Sequence, residues 1–300
     1  MRLFPFFIAL LLLLGCGATK QETMNSAEDG KKKIVNEATK RTPAPIAASQ
    51  TAMLEKYYIL DKVDVEIAGI GNDMQAQMTS NLTAMADKLG EQQITLVNSV
   101  IEKVITPEAL TSTYKKHFSK NYSAEHLAAT IVWLESPVGK RLSEMERFVN
   151  SPEGEAPLMQ YMEVMQTGAP NPERIEKVNS YFQELGLSSV ATDFVSVIQE
   201  SSLKALNAAL PAESKMSDAD ILAATDEVRQ LMGAQMAAVL PAVAGFMYKD
   251  ATDAEIDKMI EFYKGDAGTW FLKTEINASH ALARETFGNV YKELSAAQKR

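Results

Sequence analysis

Apolar residues at helical spacing give the clearest signal in this chain. Leu127, Ile131 and Leu134 recur at i, i+4 and i+7, with Trp133 beside them, and form one buried stripe. Ser123 precedes the stripe as a helix cap, and Glu125 in the first turn suits the positive end of the helix dipole. Ser136-Pro137 stops this helix. Proline disfavours helical geometry in the residue before it but suits the first turn of the next helix. Gly139 then lets a second backbone approach closely, so residues 123–148 read as helix, corner, helix.

The pattern returns 129 residues later, over 252–274. Thr252 and Glu255 have capping-box spacing. Ile256, Ile260 and Tyr263 repeat the stripe, Phe262 stands where Trp133 stood, and Gly268 matches Gly139. Between 123 and 140 the identical pairs are Ile131/Ile260 and Gly139/Gly268, so the repeat rests on pattern more than identity.

Around these stretches the periodicity stays helical. A first helix is expected from Thr51 to about Ile67, ending before Gly69 and Gly71, and an amphipathic stretch from Asn72 to Ile105 with a break at Gly90. Thr106-Pro107 and Ser151-Pro152 start further helices. The breaker-rich segment 167–172 is the expected internal boundary. Residues 190–210 and 217–248 follow as helical segments, with Pro241 expected to end or kink the latter. A polar tail is expected after Tyr291, and VDVEIAG at 63–69 is the one ambiguous alternating run. The predicted fold is all-α: two related multi-helix units built around helical hairpins, at 51–168 and 169–300.

The segment FSKNYSAEHLAATIVWLESPVGKRLSEM resembles the signature of the bacterial envelope family catalogued as domain of unknown function 2059. The matching positions are Tyr122, Ser123, Leu127, Trp133, Ser136, Pro137, Gly139 and Lys140. The second copy departs from it, with Gly265-Asp266 in place of Ser-Pro and Thr269 in place of the lysine. The resemblance implies a secreted, helical envelope protein and brings no catalytic residues with it.

The N-terminus gives the same address independently. Arg2 precedes a short apolar run at 3–14, too short to span roughly 30 Å of hydrocarbon as a helix. Leu13-Leu14-Gly15-Cys16 resembles a lipobox, in which Gly15 leaves room for the peptidase and the Cys16 thiol takes the lipid. Residues 1–15 are thus expected to be a lipoprotein signal, and 16–50, with Lys31-Lys32-Lys33 and the Pro43/Pro45 segment, a flexible tether. Gly17 rather than aspartate after the cysteine points to the periplasmic face of the outer membrane in a two-membrane host. Cys16 is the sole cysteine, so stability is expected from packing without disulfides.

Composition narrows the function. With 39 acidic and 30 basic residues the chain carries a formal charge of −9, which argues against nucleic acid. His117, His126 and His280 lack metal-ligand spacing, so no metal and no other cofactor is expected. The carboxylate pairs Glu173/Glu176 and Asp253/Asp257 lie near helix starts, where the dipole explains them, and Glu144/Glu146 do not share a face. Fifteen methionines, among them Met159, Met162, Met165, Met232, Met236 and Met247, read as soft core packing or as an adaptable groove. The expected function is a non-enzymatic, membrane-anchored protein that binds an envelope partner or serves a structural role. The alternatives are a carrier or sensor of a small apolar ligand and an envelope hydrolase.

Overall fold

Apolar stripes at helical spacing leave one economical solution, helices packed on helices. The computed structural model describes residues 48–168 and 171–298, and among them there are twelve α-helices and no strand. The lipobox, Cys16 and most of the tether lie outside the described residues. The helices are α1 (Ala48–Leu60), α2 (Val63–Ala84), α3 (Glu91–Val104), α4 (Pro107–Ser119), α5 (Ala124–Glu135) and α6 (Pro137–Val149). They continue with α7 (Pro152–Thr167), α8 (Pro172–Glu184), α9 (Leu187–Asn207), α10 (Asp218–Met247), α11 (Asp253–Lys264) and α12 (Asp266–Ala297).

Most helix starts follow the sequence signals. Thr106, Ser123, Ser136, Asn171, Ser217 and Thr252 each accept a backbone N–H from the first turn through the side chain. Ser217 with Asp220 and Thr252 with Glu255 complete capping boxes. Four expectations change. The first break falls at Asp61-Lys62, where Lys62 takes a left-handed φ of 52°, and α2 then runs through both Gly69 and Gly71. Gly71 serves contact instead: a Cβ there would lie 2.5 Å from Leu110 Cδ1 of α4. VDVEIAG is helical, burying Val63 and Ile67 and leaving Val65 exposed. Nor is there a polar tail after Tyr291, because α12 continues to Ala297 with Leu294 fully buried.

Pro241 neither ends α10 nor removes it from the core, since residues 242–247 are buried. Ala237, whose carbonyl loses its helical partner at a proline four residues on, is exposed. Water can therefore satisfy that carbonyl.

One apolar core runs through both halves of the chain. Tyr57, Met74, Met78, Phe118, Phe194, Phe271 and Phe287 are among its largest fully buried side chains. The 32-residue α12 is its axis and packs on α9, α4, α5, α3 and α11. With apolar surface worth about 25 cal/mol per Å² when buried, this shared interior is the main source of cohesion.

Candidate functional site

The corner at 133–139 is built by three coupled contacts. Ser136 Oγ donates to the Trp133 carbonyl at 2.7 Å and accepts the Gly139 N–H at 2.9 Å. Pro137 occupies the first helical position of α6. A Cβ on Gly139 would lie 2.0 Å from the same Trp133 carbonyl oxygen, a separation only a missing side chain permits. At the second corner a Cβ on Gly268 would lie 2.2 Å from the Phe262 carbonyl. A third corner occurs at Phe148–Gly154, where Ser151 Oγ donates to the Phe148 carbonyl at 2.8 Å and a Cβ on Gly154 would lie 2.0 Å from it. Ser151-Pro152 marks the helix start, and Gly154 completes a second Ser-Pro-x-Gly that repeats the first corner.

The first two corners meet. Trp133 and Phe262 stack with centroids 4.7 Å apart and planes within 8°. Beside them, Arg141 Nη1 donates to both carboxylate oxygens of Glu255 at 2.8 and 2.9 Å, while Nη2 donates to the Asp250 carbonyl. On the other flank Trp270 stacks on His126 at 5.7 Å and its indole N–H donates to the Asn121 carbonyl at 3.0 Å. Positions 121, 126, 133 and 141 thus contact, respectively, 270, 270, 262 and both 250 and 255, an exchange between positions 129 apart. The Thr252 N–H and hydroxyl, with Arg141, hold the Glu255 carboxyl below the usual range.

Two buried glutamates sit about two turns further along, each seven residues beyond its corner glycine. Glu146 accepts the Tyr248 hydroxyl at 2.7 Å, and Glu275 accepts the Tyr57 hydroxyl at 3.1 Å. Both glutamates are under one-tenth exposed and each phenol comes from the opposite half of the chain. Burial, then the adjacent carboxylate, drives the Tyr248 hydroxyl well above its ordinary pKa; for Tyr57 burial acts first, followed by Tyr114 and Glu275. Periodicity puts Glu146, and not Glu144, on the face of Leu142 and Val149, but the phenols that receive the two buried acids come from far along the chain.

The expected motif residues are divided by these contacts. Leu127 and Ile131 are buried, Ser123 and Ser136 are caps, and Lys140 is exposed. Trp133 is half-buried rather than enclosed, and so are Ile260 and Phe262; Met259 fills the fully buried place in the α11 stripe. His126 is also half-buried, covered by the Trp270 ring.

The three histidines make different contacts. His117 Nε2 lies 2.7 Å from Glu285, joining α4 to α12, and Lys116 first and His117 second lower the Glu285 pKa. His280 stacks on Phe194 at 5.6 Å, and its pKa is lowered by burial and then by Arg284. No cluster of three or more histidine, cysteine, aspartate or glutamate side chains suited to a metal occurs among the described residues. Asp253 and Asp257 pair with Arg174 and Lys177 of α8, so this pair tethers α11 to α8. Met232, Met236 and Met247 are buried, whereas Met159 is exposed.

The stacked pair leaves a groove at the surface, about 650 Å³, lined by Val132, Trp133, Pro137, Val138, Lys258 and Phe262 among others. Val132 is 68% exposed, so this apolar wall faces solvent. Comparison with known proteins finds no matching family model, no similar curated protein and no similar solved structure.

Proposed function

We propose that this is a lipid-anchored, non-enzymatic protein of the bacterial envelope whose helical body binds another envelope protein. The observation that carries the reading is the solvent-facing apolar groove where the two corners meet, with Val132 and the stacked edges of Trp133 and Phe262 along it. Aromatic and aliphatic anchors in a concave surface are the usual energetic centre of a protein contact.

Two copies of one helical unit supply the scaffold in this reading. The order of helices supports it: α1 and α8 both have 13 residues, α2 and α9 have 22 and 21, and α5 and α11 both have 12. Lys62 and Gly186 occupy the same place between the first two helices of each copy, both left-handed. The reciprocal contacts of Arg141 and Trp270 then relate the copies by an approximate two-fold through Trp133 and Phe262. The resemblance of residues 105–148 to the envelope family, the Leu13–Cys16 lipobox and Gly17 support attachment at the periplasmic face of the outer membrane.

A photo-crosslinking residue at position 132 of the full-length protein, in intact cells, tests the partner surface. Position 65, equally exposed but remote in sequence, is the control. A discrete heterologous adduct at 132 and none at 65 is expected; no adduct, or the same at both, overturns the reading. The anchor is tested separately: metabolic lipid labelling should mark the wild type and not Cys16→Ser, and an unlabelled wild type refutes lipidation.

A further inference from the structure

A second concave surface lies where α9, α10 and α12 meet, formed by residues that take no part in the corner groove. α9 ends at Asn207, whose side chain donates to the Met216 carbonyl at 2.9 Å and accepts the Met216 N–H at 2.8 Å. This clamp fixes the turn that brings the start of α10 back beside α12. Two adjoining depressions of about 410 and 470 Å³ result, sharing Asn207 and Tyr291 in their linings. Each has a volume typical of small-molecule sites.

The chemistry of the lining is amphipathic. Ala205, Ile221 and Phe287 form a buried apolar floor. Along α12, Arg284, Gly288 and Tyr291 follow one another at i, i+4 and i+7 and therefore share a face. Gly288 is the gap in that face, since a Cβ built there meets nothing within 4 Å. The Tyr291 ring, 49% exposed, stands at one end of the gap and the Arg284 guanidinium at the other. Lys204 of α9 reaches the same depression and Lys215 lines the adjoining one.

Charge makes the choice of ligand. Arg284 and Lys215 make no ion pair or hydrogen bond among the described residues, in a chain whose formal charge is −9. Lys204 is held by Glu200 at its own helix face, and Asp218 is the acidic residue of the lining. An unpaired guanidinium beside an apolar floor suits an acid group that can accept two parallel hydrogen bonds while its carbon skeleton leaves water. We infer that the trough between α9, α10 and α12 is a binding site for a small organic anion carrying an apolar ring or short chain. Its acid group would meet Arg284 and Lys204, and its apolar part would lie over Gly288 against Phe287 and Tyr291. The inference is independent of the partner groove and stands or falls without it.

The probe is anilinonaphthalene sulfonate, titrated by fluorescence against the full-length protein, with uncharged phenylnaphthylamine as its neutral counterpart. Gly288→Met puts a side chain into the gap, where its Cβ meets nothing, and Gly233→Met, at a second glycine whose Cβ would also meet nothing, is the matched control. Arg284→Gln removes the charge from an exposed position and gives a variant that does not depend on the filled trough. Saturable binding is expected, weakened about tenfold or more by Gly288→Met and by Arg284→Gln and unchanged by Gly233→Met. The neutral probe should bind about tenfold more weakly than the sulfonate. Equal binding of the two probes, or affinity untouched by both Gly288→Met and Arg284→Gln, overturns the inference. So does loss of binding with Val132→Glu alone, which would place the anion in the corner groove.

Discussion

Arg141 and Trp270 make the same bond to opposite halves of the molecule. The Arg141 guanidinium donates to the carbonyl of Asp250, and the Trp270 indole N–H donates to the carbonyl of Asn121. Each side chain then covers a first-turn residue of the facing helix, Glu255 for the arginine and His126 for the tryptophan. One geometry is thus held once by an ion pair and once by ring stacking. The two solutions respond differently to salt and to truncation.

Trp270→Ala should cost about 2–3 kcal/mol, less than the ~3–5 kcal/mol of a fully enclosed ring, because the indole is half-buried against His126 and Phe118. Arg141→Ala should cost about 0.5–1 kcal/mol and only at low salt, its side chain being 45% exposed. Urea unfolding in low and high salt separates them. A salt-independent loss at Arg141 would mean that its carbonyl bond, not the ion pair with Glu255, supplies the effect.

Gly139→Ala should destabilise by about 1–3 kcal/mol although alanine favours helices, since its Cβ would press on the Trp133 carbonyl oxygen. Gly233→Ala, in open space within α10, should instead gain up to about 1 kcal/mol. Unfolding midpoints of the two variants should move in opposite directions. A neutral Gly139→Ala would show that the corner relaxes freely.

Tyr248→Phe should cost about 1.5–3 kcal/mol by removing the phenol that donates to the buried Glu146. Glu146→Gln in the same background should restore part of the loss, because an amide is less costly to bury than a carboxylate. A double-mutant cycle on unfolding free energies measures the coupling. Additive losses would show that the two side chains act independently.

Asp73, partly buried on α2, has its carboxyl pushed up to about 7 by burial. In the unfolded chain the same group titrates near the usual ~3.9. Between these values the native state holds a proton that the unfolded state has lost, so this residue's contribution to stability is present at low pH and is lost as pH rises through 7. Wild type should therefore lose more stability between pH 5 and pH 8 than Asp73→Asn, measured by urea midpoints in matched salt. Equal losses would refute the assignment.

Helix content was legible because capping and periodicity are local: Thr106, Ser136, Ser217 and Thr252 satisfy N–H groups within one turn of themselves. The all-α class, the Ser136-Pro137 corner and the buried faces of Leu127, Ile131 and Ile256 followed from residues a few positions apart. Glycine was harder to read. Ser136-Pro137 marks Gly139 as a corner residue, whereas Gly71 sits inside a helix under Leu110, a contact that only the neighbouring element reveals.

The sequence by itself determined the capped helix starts, which stripe around residues 127–134 and 256–263 is apolar, and that these two stretches 129 residues apart share one pattern. Tertiary structure alone decided that Trp133 would stack on Phe262, leaving each ring half in water, and that Glu146 and Glu275 would be buried beneath phenols from the other half. It also decided that Pro241 could remain inside α10, because the carbonyl it deprives belongs to an exposed residue. Caps and periodicity act through covalent neighbours, so they can be read along the chain. The pairing of faces depends on which helices share a core, and that is set by the whole set of apolar surfaces removed from water together.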